Sequence, residues 1–311
     1  MQEKNFKISI KSANIIILII SAMAALYTLL MPANLANIIS LAPTYLIEVV
    51  IILIFCRNNK ANIKTATGFN KVKPITYLLV FLLCITIHPF INMFGVLTNI
   101  FIPGGNEAIS SQLLNNGFIL NTIFAAILPA LVEEFIFRGM LLNTYVQTNR
   151  LRASILLSAL VFALYHFNLI QGLYAFVLGI IIGLIFVLTD SVLPCMLFHF
   201  TFNGISVVKV TLLSKYNNEV SSLLQTSNAS TTHMASIISI ASTVIGFIIS
   251  IFLFKAIAKR ENSTDKLSLC LKGSNVTGGK LLTPPLIISL LLMSSLAIIT
   301  TLLLYVQLTH N

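Results

Sequence analysis

Continuous apolar stretches, separated by short polar segments, run through the whole chain. An α-helix rises about 1.5 Å per residue, so about 20 apolar residues cross the roughly 30 Å hydrocarbon core of a bilayer. The stretches are continuous rather than alternating, which disfavours a β-barrel. The pattern therefore predicts an all-α polytopic membrane protein, a bundle of about nine transmembrane helices. The predicted spans are 13–31, 38–56, 75–96, 118–143, 153–170, 173–189, 192–213, 234–257 and 284–308.

The composition agrees with a membrane protein. Of the 311 residues, 57% are hydrophobic and 9% are charged, and the mean hydropathy is +0.95. So few charges cannot cover the surface of a soluble protein of this size. The net charge of +10 comes from basic residues scattered between apolar runs. This distribution does not suit a nucleic-acid partner, and the expected partner is the lipid bilayer.

The basic residues alternate between the two sides of the predicted bundle. Of the 19 Lys and Arg residues, 16 precede the first span, follow the second or fourth span, or lie at the end of the eighth span and after it. Because such residues concentrate in cytoplasmic loops, we expect a multi-pass protein of the cell membrane with a cytoplasmic N-terminus and an external C-terminus. The first apolar run is longer than an ordinary signal peptide requires, so we expect it to be a retained helix.

The fourth span carries three charged residues, Glu133, Glu134 and Arg138. Charged groups are costly at bilayer depth, so each is a candidate functional residue. On a helix Glu134 and Arg138 share a face, whereas Glu133 is rotated by about 100° from Glu134. We therefore expect Glu134 to form a buried ion pair with Arg138. Glu133 is then free to face a cavity, where a carboxylate can act as a general base.

Two further spans carry polar residues that suit the same chemistry. His166 follows Phe162 in the fifth span, and His199 and Asn203 lie one turn apart on one face of the seventh. Side chains of the last two could both donate hydrogen bonds to a developing oxyanion. Counted along straight helices from the cytoplasmic ends, His166, Glu133 and His199 lie roughly 20, 15 and 10 Å deep. Groups that share one water must be closer, so we expect the 190–193 connection to lie below the membrane surface.

Three motifs occur in order on these apolar segments: Glu-Glu-x-x-x-Arg at 133–138, Phe-x-x-x-His at 162–166 and His-x-x-x-Asn at 199–203. Together they resemble the CPBP family of intramembrane endopeptidases, the CAAX proteases and bacteriocin-processing enzymes. The resemblance implies that Glu133 activates the attacking water with help from His166. It also implies that His199 and Asn203 stabilise the oxyanion, while Glu134 and Arg138 support the site. No cofactor and no metal are implied.

The resemblance also implies a division of the chain. The family's helical core would cover 75–257, with its catalytic helices within 118–213. Residues 1–74 would form accessory transmembrane helices, and 258–311 a cytoplasmic loop and a last helix. The expected partner is a membrane-associated peptide or protein, cleaved near the cytoplasmic half of the membrane. A prenylated CAAX protein, a peptide pheromone and a bacteriocin precursor all remain open as substrates.

Other functions remain open at this stage. One is a non-catalytic scaffold or bacteriocin-immunity protein with the same fold, and another is a transporter that relays protons. A metal-dependent protease is also open, because two histidines and glutamates could bind zinc. Against the metal, the chain lacks His-Glu-x-x-His, its four cysteines show no Cys-x-x-Cys spacing, and Asn203 is a poor zinc ligand. Glu48 in the second span has no partner nearby in the sequence, so its role is open as well.

Overall fold

The computed structural model describes residues 8–31, 38–59, 61–114, 116–225, 229–273 and 279–310. Twelve helices, and no strand, occur in these ranges. In chain order they are α1 Ile10–Leu30, α2 Ala42–Asn58 (after the 3-10 turn Ile38–Leu41), α3 Ile63–Ala66, α4 Pro74–Phe101, α5 Gly105–Leu114, α6 Gly117–Thr148, α7 Leu151–Tyr165, α8 Leu169–Thr189, α9 Val192–Gln225, α10 Ala229–Arg260, α11 Thr264–Lys272 and α12 Pro284–His310.

Seven helices in the described ranges are long and apolar enough to cross a membrane, so the chain is an all-α, multi-pass membrane protein. They are α1, α4, α6, α8, the first 20 residues of α9, the last 24 of α10, and α12. The other two predicted spans correspond to α2, with 17 residues, and α7, with 15 residues. Both are shorter than a typical span. The predicted number of nine spans is therefore not confirmed.

The predicted helix ends differ from the observed ones where local backbone features intervene. The span predicted over 153–170 ends at Tyr165, because Phe167 has a left-handed backbone with φ of 51°. Asn168 then caps α8 by accepting a hydrogen bond from the backbone N–H of Gln171. The connectors expected at 214–233 and 258–283 are partly helical, since α9 and α10 extend into the first and α11 lies in the second.

Hydrogen bonds join the connections that carry most of the basic residues. We call this the basic end of the bundle, formed by the described residues of the connections at 61–73, 149–150, 190–191, 261–273 and 279–283. α1 starts at this end, where Asn14 bonds Thr283, and α2 ends at it. α7 likewise starts there and α8 ends there. The bonded pairs across the basic end are Lys73–Glu261, Asn70–Asp190, Lys266–Asp190, Asn143–Ala66 and Asn14–Thr283.

The central helix α6 is irregular on both sides of its glutamates. Thr122–Ile127 and Phe135–Leu142 have π-helical hydrogen bonding, and Leu128–Glu134 between them is α-helical. Pro129 in the α-helical part has no N–H to donate to the carbonyl four residues earlier. Insertions of this kind in helices are frequent at functional sites. They change the direction in which the following side chains point.

Close packing of α7 on α8 depends on Gly179. A Cβ atom at this position would lie 2.9 Å from the Cβ of Ala159, which is too close for any side chain. The missing side chain therefore brings α8 against α7. The same close approach makes the Gly179 carbonyl available to Arg138 of α6.

Candidate active site

Glu133 lies at the floor of a cavity of about 300 Å³. It sits near the middle of α6, and its side chain is 9% exposed. Its Oε1 accepts a hydrogen bond of 3.0 Å from the hydroxyl of Tyr45 on α2. Its Oε2 is buried and has no hydrogen-bond partner among the described residues. One oxygen of this carboxylate is thus held by a hydrogen bond, and the other is buried without one.

Glu134, Arg138 and His199 form a closed polar cluster beside it. As the spacing predicts, Arg138 Nη1 lies 2.8 Å from Glu134 Oε1. His199 Nδ1 lies at the same distance from that oxygen, and Arg138 Nη2 donates to the Gly179 carbonyl at 3.3 Å. All three side chains are at most 3% exposed. Because each charge has a partner, the cluster can be buried without the cost of an isolated ion.

His199 connects this cluster to Glu133. Its Nδ1 contacts Glu134, and its Nε2 lies 4.0 Å from Glu133 Oε2. An ionised carboxylate is an acceptor only, so the Nδ1 of His199 must carry the proton of that hydrogen bond. The second ring nitrogen is then directed toward Glu133. The two neighbouring glutamates therefore contact opposite sides of one imidazole.

His166 is the cap residue of α7 and lines the same cavity as Glu133. Its Nδ1 lies 3.0 Å from the carbonyl oxygen of Phe162. Since a carbonyl only accepts, the proton of the neutral ring is on Nδ1 and the lone pair is on Nε2. The Nε2 of His166 is therefore a basic nitrogen on a residue that lines the cavity. A group of this kind can accept a proton from water.

The ring of Phe162 holds the polar residues of three helices at a common level. Its centroid is 5.0 Å from that of His166 and 5.9 Å from that of His199. Arg138 Cζ lies 4.4 Å above the same ring. Counting along straight helices places His166 and His199 at different depths, whereas in the structure both rings pack against Phe162.

Asn203 contacts α6 rather than the cavity. Its Nδ2 donates a 3.0 Å hydrogen bond to the carbonyl of Ala125, the residue four positions before Pro129. Ala125 belongs to the π-helical stretch that precedes Pro129. A side-chain amide has two N–H groups, so one of them remains for another acceptor. The cavity lining includes neither Asn203 nor His199, and the roles of both as oxyanion donors stay predictions.

Two tyrosines of the site have no clear signal in the sequence. Tyr45 bonds Glu133, and Tyr165 donates its hydroxyl to Glu48, which is 1% exposed. Glu48 stands out as a charged residue within an apolar run, but nothing near it in the sequence indicates Tyr165 as its partner. The tyrosines occur in apolar runs where a core role is the ordinary interpretation. Only the packing of α2 against α6 and α7 reveals these contacts.

The described residues contain no group of three or more His, Cys, Asp or Glu side chains with the spacing of a metal site. The pair that comes closest to a metal site is Glu133 with the Nε2 of His199, and the Nδ1 of this histidine is already bonded to Glu134. This geometry leaves the choice between a metal and a glutamate mechanism to experiment.

Comparison with known proteins gives one match. Residues 115–205 match the family model described as Rce1-like: Type II CAAX prenyl endopeptidase Rce1-like. The search of curated proteins and the search of solved structures found no match. The matched segment includes Glu133, Glu134, Arg138, His166, His199 and Asn203. This part of the chain is therefore similar to a family of proteases, the Rce1-like type II CAAX prenyl endopeptidases, and the match confirms the resemblance that the three motifs indicate.

Proposed function

We propose that this protein is an intramembrane endopeptidase that hydrolyses a peptide bond with water activated by Glu133. The observation that carries the proposal is the Glu133 carboxylate at the floor of a cavity. One of its oxygens is anchored by Tyr45, and the other has no hydrogen-bond partner among the described residues. The match of residues 115–205 to a protease family supports the same reaction class.

Glu133 and His166 act on the water. A water between the free oxygen of Glu133 and the Nε2 of His166 donates a hydrogen bond to each. As the water oxygen attacks the substrate carbonyl carbon, one proton passes to Glu133. A new C–O bond forms and the carbonyl oxygen becomes an oxyanion. The proton then moves to the amide nitrogen as the C–N bond breaks, which releases the amine.

His199 stabilises the oxyanion through its Nε2–H. Its Nδ1–H already donates to Glu134, so this role requires a ring that carries both protons. The remaining N–H of Asn203 is the second donor, as the resemblance implies.

The orientation and organisation of the chain belong to the same proposal. The basic end faces the cytoplasm, so the N-terminus is cytoplasmic and the C-terminus external. The family core spans 75–257, flanked by helices of 1–74 and by the segment 258–311. The first of these flanking segments also contributes to the site, since Tyr45 contacts Glu133. The substrate is a membrane-associated peptide or protein, and the lipid bilayer surrounds the enzyme.

Peptidase assays of purified protein in detergent test the reaction. The probes are a prenylated peptide ending in a CAAX sequence and acylated peptides without this ending, each with a fluorophore and a quencher. We expect wild type to cleave at least one of these probes and Glu133→Gln to cleave none. Wild type and Glu133→Gln that are equally inactive on all probes would contradict the proposal and favour a scaffold or immunity role.

A chelation series distinguishes the two protease mechanisms. We expect activity to survive a strong chelator, and we expect Asn203→Ala to slow cleavage. A zinc enzyme behaves in the opposite way, because both histidines would be ligands and Asn203 would be dispensable. Stoichiometric zinc in the purified protein, with activity that a chelator removes and zinc restores, would overturn the glutamate mechanism.

A further inference from the structure

The cavity above Glu133 is formed by the helix ends that lie farthest from the basic end. Its walls include the last two turns of α1, the first turn of α2, the end of α7 and the first turn of α8. α1 and α7 run away from the basic end, whereas α2 and α8 run toward it. All four elements therefore place the cavity between Glu133 and the opposite end of the bundle.

The opposite end of the cavity reaches the surface of the described residues. Thr28 on the last turn of α1 is exposed, and Asn168 and Gln171 at the start of α8 are half-buried. Glu133 at the floor is buried. Exposure thus increases from the candidate base toward the end of the bundle that lacks the basic connections.

Between Glu133 and the basic end the interior is closely packed. Along α6, Arg138 is 1% exposed and Leu141, Leu142 and Tyr145 are not exposed at all. The loop between α3 and α4 covers this region, since a Cβ atom on Gly139 would lie 2.8 Å from a backbone oxygen of that loop. A peptide cannot reach Glu133 through this packing without separating α6 from its neighbours.

The chemistry of the cavity suits a polypeptide segment. Hydroxyl and amide groups of Thr28, Thr44, Asn168, Gln171 and Thr300 line it, together with aromatic rings. The hydroxyls of Thr28 and Thr300 donate to carbonyls within the chain, so their oxygens remain as acceptors for the N–H groups of an extended backbone. The volume of about 300 Å³ is at the lower end of the range for ligand pockets. A short peptide stretch fits this space better than a folded domain.

We propose that the substrate reaches Glu133 from the extracytoplasmic side, so that the natural substrates are exported or outward-facing membrane-tethered peptides. The proposal rests on the proposed function and on the cytoplasmic location of the basic end. It differs from the sequence-based expectation of cleavage near the cytoplasmic half of the membrane. The difference arises because the sequence indicates which residues react, and only the packing shows which side is open.

Cysteine labelling tests the sidedness without any assay of cleavage. In a background where Cys270 is replaced by serine, Thr28→Cys reports on the rim of the cavity and Lys272→Cys, exposed on α11, reports on the basic end. The remaining native cysteines are buried. With a membrane-impermeant maleimide, we expect Thr28→Cys to react in intact cells and Lys272→Cys only after permeabilisation. The reverse pattern, or no reaction of Thr28→Cys in either sample, would overturn the proposal.

Oriented vesicles test access of the substrate itself. Acylated quenched peptides with a charged segment are added to right-side-out and inside-out vesicles, because such peptides bind the outer surface reversibly and do not cross. We expect cleavage in right-side-out vesicles, abolished by Glu133→Gln. Cleavage only in inside-out vesicles would overturn the access route and leave the peptidase intact. Cleavage that Glu133→Gln does not abolish would instead contradict the proposed function.

Discussion

Two sides of the central helix α6 place neighbouring glutamates in different surroundings. On one side Glu134 shares an oxygen with Arg138 and His199, and these three side chains are almost completely buried. On the other side Glu133 faces a cavity, with one oxygen bonded to Tyr45 and the other without a partner among the described residues. The paired side resembles a structural ion cluster, and the cavity side resembles a reactive site.

The comparison shows how one residue type acquires two roles. A rotation of about 100° per residue directs adjacent side chains to different neighbours. Glu134 is stabilised by two partners on one oxygen, Arg138 and His199, although its Oε2 has no hydrogen-bond partner among the described residues. Glu133 has no arginine beside it and lines the cavity, where a carboxylate can accept a proton. The roles of Glu133 and Glu134 can therefore be separated by matched substitutions. We order these tests from the largest expected effect to the smallest.

Glu133→Gln should have the largest effect on activity. The amide keeps the shape but cannot accept a proton, and general base catalysis contributes about 100- to 10,000-fold. We expect cleavage to fall by this factor while thermal stability stays near that of wild type. Cleavage is measured on peptides in detergent. Thermal stability is measured with a thiol-reactive dye that detects the buried cysteines as the protein unfolds on heating. A large loss of stability would place Glu133 with the structural cluster.

Glu134→Gln should act mainly on stability. It leaves Arg138 buried without its carboxylate, which costs about 3–5 kcal/mol. We expect low yield and a lower unfolding temperature in the same dye assay. The control is the double variant Glu134→Gln with Arg138→Met, which removes the uncompensated cation and should recover part of the stability. Equal and purely catalytic losses in Glu133→Gln and Glu134→Gln would contradict the division between the two sides of α6.

His199→Ala and Asn203→Ala test the oxyanion donors that join the two sides. Loss of one such donor typically slows turnover by about 100- to 1000-fold. We expect a decrease of this size in kcat for each variant, with little change in KM. Asn203→Ala should also lower stability by about 1 kcal/mol, because it removes the hydrogen bond to the Ala125 carbonyl. If Asn203→Ala lowers stability but leaves kcat unchanged, Asn203 holds α6 in place and does not bind the oxyanion.

Tyr45→Phe should have the smallest effect and would define the contribution of α2. The variant keeps the ring and removes the hydrogen bond to Glu133 Oε1. A hydrogen bond to a charged group contributes about 1.5 kcal/mol or more, which corresponds to about tenfold. We expect kcat to fall by about this factor. Tyr165→Phe is the matched control, because its hydroxyl bonds Glu48 instead, and an equal loss there would argue against a specific role of Tyr45.

Much of the site can be predicted from residue spacing, because that information is local. The spacing of four between Glu134 and Arg138 predicts their ion pair on any regular helix. The same rule puts His199 and Asn203 on one face. It does not predict that Asn203 donates to the Ala125 carbonyl near Pro129, since the partner lies on another helix. The roles of both residues in catalysis stay predictions.

Apolar length and charge pattern by themselves determined that this protein is a helical membrane protein with its basic connections on one side. Both properties depend on the transfer of single segments between water and lipid, so they can be calculated from the sequence. Contacts between segments distant in the chain were decided only by the tertiary structure. Tyr45 reaches Glu133 across 88 positions, and the open side of the cavity depends on four helix ends. Packing of this kind depends on shape complementarity between helices, which no local pattern encodes.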